Sequence, residues 1–356
     1  MNEEEVSYWP QDDRFHLLSG IDLLHDTEEG IREKFMKGIR DAVSITHVFY
    51  LVANPGRQVG VAEPYGHNIT MLRNAVAAIE SIASNLEFIH LQYGTFIYGV
   101  CFTDDFYMPV PLSESLPPLR PPFRDLIAYP LLSEWMENLS KGKTWKWCET
   151  RPDDIIGFVP RPNEYNLAYP TAMFLSLYAY VEGKGVECPF PGSFGAWKAL
   201  CNHAGADMIA KSAIHLSLAS DFAVSGEGFN IASSQEPWSW EMQWPALCSW
   251  FGLKGTPPVD HERSTTVTPS PDAYIASHVE DFKRMIQKHG LKDWYVVSPT
   301  MDGTDNWGLT KLNFDRHLSL EKIRATGYLE EESPIDSWTQ VLQRMRDAKL
   351  IPRGYE

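Results

Sequence analysis

The chain predicts an α/β fold: a doubly wound parallel sheet followed by a mainly helical C-terminal substrate lobe. Three observations carry that expectation. Strand-like and helix-like segments alternate through the first half. The run Thr46-His47-Val48-Phe49-Tyr50-Leu51-Val52-Ala53 is nearly all apolar, the pattern of a central parallel strand buried on both faces. The second half has helical spacings and few strand signals.

The elements follow in order. Residues 15–19 form a short apolar run and predict a first strand. Residues 28–44 have helical spacing, with Ile31, Phe35, Ile39 and Val43 on one face. After the strand at 46–53 come a helix over 68–84 and a strand over 86–92. Residues 109–122, rich in Pro, Ser and Leu, read as a surface loop. A helix at 128–140 leads to a strand at 145–149 and the turn Arg151-Pro152-Asp153-Asp154. Further helices are expected over 170–182, 206–219, 240–251, 272–288 and 336–348. The expected division is a sheet core over 1–160 and a lid or substrate lobe over 161–356, with some segments returning to the sheet. The two form effectively one structural unit, with no internal repeat.

Composition narrows the function. A net charge of −16 on 356 residues argues against nucleic acid and anionic membranes, which draw on clustered Lys and Arg. Five scattered cysteines without a Cys-x-x-Cys pair read as buried free thiols. The acidic start Met1-Asn2-Glu3-Glu4-Glu5 has no apolar signal-peptide core, and no stretch is long enough to span a bilayer. The expected location is cytoplasmic.

Most standard motifs fail. Gly142-Lys143-Thr144 has Glu137 where a phosphate loop needs its first glycine. No metal-spaced Cys/His cluster occurs, and Ser225 lacks the glycine of a nucleophile elbow. Trp238, Trp240, Trp244 and Trp250 fall near helical spacing, and Trp145 and Trp147 share one face of a strand; both sets read as core.

Several segments resemble a known family. Thr46-His47-Val48-Phe49-Tyr50, then residues 68–76, then Phe88-Ile89-His90-Leu91-Gln92 are similar to extended short-chain dehydrogenases of the progesterone 5-beta-reductase and iridoid-synthase type. Arg151-Pro152-Asp153-Asp154-Ile155-Ile156-Gly157-Phe158, Pro189-Phe190-Pro191-Gly192 with Trp197, and Phe229-Asn230-Ile231 continue the likeness in family order, closest to fungal members. The resemblance implies a Rossmann-like core. It also implies that the core is truncated, because the family's first strand, glycine-rich loop and second strand would precede Trp9.

The departures shape the functional expectation. The family's catalytic lysine follows a Gln-Thr-Gly-x-Lys pattern; here Gln92-Tyr93-Gly94-Thr95-Phe96 puts Phe96 in its place. The family's catalytic tyrosine is the second of an adjacent pair; here the pair reads Tyr129-Pro130, and a one-residue slip would restore Tyr129. In such reductases a tyrosine O–H stabilises the enolate that forms as hydride arrives. The leading expectation is a redox-neutral cyclase, isomerase or rearrangement enzyme with no NAD(P)H, acting on a lipophilic intermediate of fungal secondary metabolism. Two alternatives stand beside it: a non-catalytic ligand-binding pseudo-dehydrogenase, and an NADPH-dependent enone or carbonyl reductase with atypical cofactor binding.

Positions matching the family's pocket rim supply the candidates. Tyr98 and Tyr129 are candidate hydrogen-bond donors, and His203 a candidate base. Tyr93, Phe96 and Asn166 are candidates for shaping the substrate pocket. A buried, locally satisfied side chain is the competing reading for each. No metal is expected. In the full sheet order two strands would separate residues 15–19 from 46–53. Their loss predicts that residues 15–19 move in to pair beside 46–53, or that a homodimer covers the exposed edge.

Overall fold

The computed structural model describes residues 8–53, 62–102, 108–160, 166–219, 224–259, 270–292 and 312–354. Contacts divide the chain into two compact units. Unit 1 holds the chain up to Arg151, with Lys211–Asn230 and Leu320–Tyr328. Unit 2 holds Pro152–Ala210, Ile231–Ser319 and Leu329–Glu356.

Unit 1 is built on a four-stranded sheet. Its strands are β1 (His47–Tyr50), β2 (Phe88–Gln92), β3 (Lys146–Pro152) and β7 (Glu227–Ile231), in spatial order β1-β2-β3-β7. β1 and β2 are parallel, with His47 opposite Phe88. β2 and β3 are parallel, with Phe88 opposite Lys146. The connections carry helices α2 (Ala62–Glu80) and α3 (Ala128–Ser140), and α1 (Glu28–Gly38) packs on α2. Thr27 caps α1 by accepting from the Gly30 N–H. A parallel sheet flanked by helices is the Rossmann-like arrangement that the alternation predicts.

Strand alternation sorts the two faces. Ile89 and Leu91 of β2 and Trp147 of β3 face α2 and α3, where they meet Leu72, Val76, Ile79, Leu132 and Met136. Phe88 and His90 point to the other face, where the His47 ring stacks on Phe88 and Phe49 tilts over His90.

Three expectations need correction. Residues 15–19 are not a strand. The run is too short to cover an edge. Phe15 instead stacks on Trp9 at 5.4 Å, and Leu18 fills the space over Gly38 at the end of α1. The strand at 46–53 is not central: among the described residues β1 pairs only with β2, and Phe49 and Leu51 are 41% and 67% exposed. Residues 272–288 make two helices, because the backbone at His278 (φ −118, ψ 32) leaves the helical region.

Unit 2 is mainly helical, with two short parallel strand pairs. β4 (Ile155–Ile156) pairs with β6 (Ala204–Gly205), and β5 (Glu187–Pro189) with β8 (Lys254–Thr256). Helix α4 (Ala168–Glu182) is apolar around most of its circumference and is buried accordingly. Trp240, Trp244 and Trp338 are core residues packed among Phe174, Phe190 and Trp197, and Trp145 and Trp147 are core in unit 1. Four of the five cysteines are buried, and all five are free. Among the described residues no helix is long and apolar enough to cross a membrane.

Candidate active site

The carboxyl ends of parallel strands are where open α/β sheets place their ligands. In unit 1 the ends of β2 and β3 carry an unusual density of polar side chains. The chain leaves β2 through Tyr93 and Gly94 into a short 3-10 turn, Thr95–Tyr98. Gly99 closes that turn at φ +87, a left-handed conformation that glycine adopts without strain. The turn delivers Tyr98 to the end of β3. On β3 the alternation that buries Trp147 puts Glu149 and Arg151 on the same face.

Tyr98 is held on both sides of its hydroxyl. Its O–H donates to Asn230 Oδ1 at 2.6 Å, and its oxygen accepts from Arg151 Nη1 at 3.0 Å. Arg151 in turn donates from Nε (3.0 Å) and Nη2 (2.5 Å) to Glu149 Oε1. Glu149 is 3% exposed, and no protein group donates to its second oxygen, Oε2, among the described residues. Asn230 is itself fixed. Its Nδ2 donates to the Leu112 carbonyl at 2.9 Å, and its backbone N–H donates to Glu114 Oε1 at 2.7 Å. The proline-rich loop is thus tied to β7, and β7 to the tyrosine.

Tyr93 and Tyr129 lie beside this network, their rings stacked at 4.5 Å and 12°. Tyr129 enters from the first turn of α3, and Ser133 one turn later reaches the Tyr93 hydroxyl at 3.4 Å. Burial raises all three phenols above their ordinary value. Tyr129 is pushed up to about 12 by burial and then by the Glu149 carboxylate. Burial and then the Glu149 carboxylate also raise Tyr93 well above its ordinary value. Tyr98 is raised by burial, and the Arg151 charge pulls against that rise. All three are therefore proton-bearing donors at neutral pH. Burial also raises Glu114. Burial works against the Arg151 charge, but the Glu149 carboxylate outweighs it and holds the guanidinium protonated.

Unit 1 therefore brings together Tyr93, Phe96, Tyr98 and Tyr129 of the sequence candidates. His203 and Asn166 lie in unit 2. His203 is buried with Nδ1 3.1 Å from Gln243 Oε1 and Nε2 3.9 Å from Asp154 Oδ2. Burial pushes its pKa down to about 4, so the ring is neutral at pH 7. Beside it Arg316 bridges Asp153 and Asp154 at 2.8 and 2.7 Å. Asn166 donates to the Gly157 carbonyl and accepts from the Ala168 N–H, so both ends of its amide are satisfied by backbone just before α4. A small depression in unit 2, lined by Gly205, Glu332, Ser337 and Arg344, holds none of the candidates.

Sequence reasoning did not nominate Glu149, Arg151, Asn230 or Glu114. Arg151 and Asn230 stand in the family-like segments and were available as signals; the two glutamates carried none.

A nicotinamide dinucleotide needs a glycine-rich turn for its pyrophosphate. The turn after β2 offers one glycine between Tyr93 and Phe96 side chains, and no lysine precedes Tyr98 on it. The turn after β2 is not such a glycine-rich loop. Among the described residues no cluster of His, Cys, Asp and Glu is suited to a metal.

Comparison with known proteins agrees with this architecture. Residues 2–352 match the model of the PRISE-like Rossmann-fold domain. The chain is 34% identical to the short chain dehydrogenase sirQ of Leptosphaeria maculans, over 96% of this chain and 86% of that protein. It is 30% identical to the 3-oxo-Delta(4,5)-steroid 5-beta-reductase of Arabidopsis thaliana, over 59% of this chain and 52% of the reductase. Among solved structures, a GDP-L-fucose synthetase from Naegleria fowleri superposes with a TM-score of 0.56 at 13% identity, covering 92% of this chain and 82% of that one. That likeness concerns the fold alone. The relatives are named as enzymes, and the family match spans the strands that carry Arg151 and Asn230 and the turn that carries Tyr98. The chain belongs to the PRISE-like Rossmann-fold family.

Proposed function

We propose that this family member is a redox-neutral enzyme: an isomerase, cyclase or rearrangement catalyst acting on a lipophilic intermediate of fungal secondary metabolism. The observation that carries the reading is the pairing of Phe96 with Tyr98. The position of the family's catalytic lysine is aromatic, while two residues later a tyrosine hydroxyl is kept and oriented by Arg151 and Asn230. Tyr98 is the donor that polarises a carbonyl or epoxide oxygen, and Tyr93, Tyr129 and Phe96 supply the apolar walls. A reduction consumes one proton per turnover and needs a relay to replace it. An isomerisation or cyclisation returns the proton it borrows.

The names of the relatives favour a second reading, an NAD(P)H-dependent enone or carbonyl reductase. One experiment separates the two. The purified chain is incubated with the pathway intermediate, with and without NADPH, and the product is weighed by mass spectrometry. A product of unchanged mass that forms equally without NADPH supports the proposal. A product two mass units heavier that requires NADPH establishes the reductase.

A further inference from the structure

We infer that Arg151 is the positioning cation of this site, supplying from β3 the positive charge beside the donor tyrosine that the turn after β2 does not supply. The inference rests on the reading of Tyr98 as the site's donor.

The geometry is built for that task. Arg151 Nη1 lies 3.0 Å from the Tyr98 oxygen, and the guanidinium carbon stands 5.3 Å from the ring centroid. The fork of Nε and Nη2 is clamped on Glu149 Oε1, which fixes the plane of the guanidinium from behind. β7 makes room for the pair through Gly228, where a Cβ would collide with both Arg151 Nη2 and Glu149 Oε1. A donor on one side of the phenol oxygen directs the phenol proton to the other side, where Asn230 Oδ1 receives it at 2.6 Å. The hydroxyl is thereby oriented before any substrate arrives.

The charged groups that act on Tyr98 are Arg151, Glu114 and Glu149. Lys322, in the short helix Glu321–Ala325, acts one step further out, on Glu114. Arg151 alone among the three favours loss of the phenol proton; the two carboxylates oppose it. A guanidinium differs from a lysine in one decisive way: it keeps its proton throughout the working pH range. It lends charge and cannot relay a proton. To act on substrate, Tyr98 turns its one proton from Asn230 Oδ1 to the substrate oxygen and keeps it, which suits a reaction without net proton uptake.

The test uses the full chain with 3,5-difluorotyrosine at position 98, titrated by fluorine NMR. Removing Arg151 alone would strand a buried carboxylate and risk unfolding, so the comparison is made in Glu149→Gln. The expected result is that Glu149→Gln/Arg151→Met lowers the acid constant of residue 98 at least tenfold relative to Glu149→Gln. Glu149→Gln/Arg151→Lys should recover most of that loss. Equal titrations of the Gln and Gln/Met proteins overturn the inference. Should the double variants not fold, the otherwise unaltered chain decides. A fluorine–proton Overhauser effect from residue 98 to the Arg151 guanidinium protons supports the contact, and its absence overturns it. None of these readouts involves substrate or NADPH. The titration can therefore stand while the proposed reaction fails, and the reverse.

Discussion

Gly228 shows how one missing side chain permits the site. Its Cα lies against the Arg151–Glu149 pair, and any Cβ there must displace a buried ion pair. Gly228→Ala is therefore expected to cost about 1–3 kcal/mol, the range of overpacked cores, measured as a lowered urea midpoint with unchanged slope. Tyr98→Phe tests the other end of the network. It leaves Asn230 Oδ1 and Arg151 Nη1 without their partner, at a stability cost of about 1–3 kcal/mol. Turnover should fall ~10²-fold or more, the usual loss for a positioned proton donor. Full turnover in the Tyr98→Phe variant would remove this hydroxyl from the chemistry. The sequence made Tyr98 legible because it stands two residues beyond Phe96 in a family-like segment. Glu149 and Arg151 were not legible. Two opposite charges at alternate positions of a strand read equally well as a solvated face, and only the tertiary packing around β3, with Gly228 of the neighbouring β7 beside the pair, turns them into a buried clamp.

At the scale of elements, local periodicity carried far and neighbour identity did not. The helix over Ala128–Ser140 has the bounds its spacing predicts, because its buried positions Ala128, Leu132 and Met136 recur every four residues. The run at 46–53 misled because an apolar strand looks the same whether or not a neighbour covers it. Among the described residues β1 keeps an open side, with Leu51 and Val52 67% and 46% exposed just beyond it. Such an edge invites pairing. The chain should show concentration-dependent association in sedimentation, and Leu51→Lys should shift it toward monomer; identical profiles would show that the edge is not the contact. Buried histidines in or beside strands add a pH dependence. His90 of β2 donates or accepts at Thr150 Oγ1, 3.0 Å away, and burial lowers its pKa to about 4, as it does for His203 before β6. Both folded values lie below the ordinary 6.5, so the folded state binds fewer protons than the unfolded chain. Stability is full above about pH 6.5 and falls as pH drops toward 4, by up to ~3 kcal/mol per histidine. Urea midpoints measured across mildly alkaline to acidic buffers should fall with pH, and His203→Gln should flatten the fall by about half, since two histidines of equal shift share it.

For the whole molecule the question is whether this chain uses a reduced nicotinamide cofactor. The family match runs from residue 2 to residue 352, so the likeness is not confined to the sheet. Arg151 and Asn230 stand in family-like segments, whereas Phe96 departs from the family pattern. A molecule that still bound NADPH would reveal it in its stability. Free ligand at about 100 times its Kd adds ~2.7 kcal/mol to a protein that binds it only when folded, which raises Tm by several degrees. The 356-residue chain is expected to melt at the same temperature with and without millimolar NADPH. Phe96→Lys sharpens the test. It places an ammonium two residues before Tyr98 without adding a glycine-rich turn. Neither a Tm shift nor loss of absorbance at the reduced-nicotinamide wavelength should then follow with an enone such as progesterone. A clear Tm rise in the parent chain, followed by oxidation of NADPH when enone is added, would return the protein to the reductases and make Arg151 their substitute for lysine.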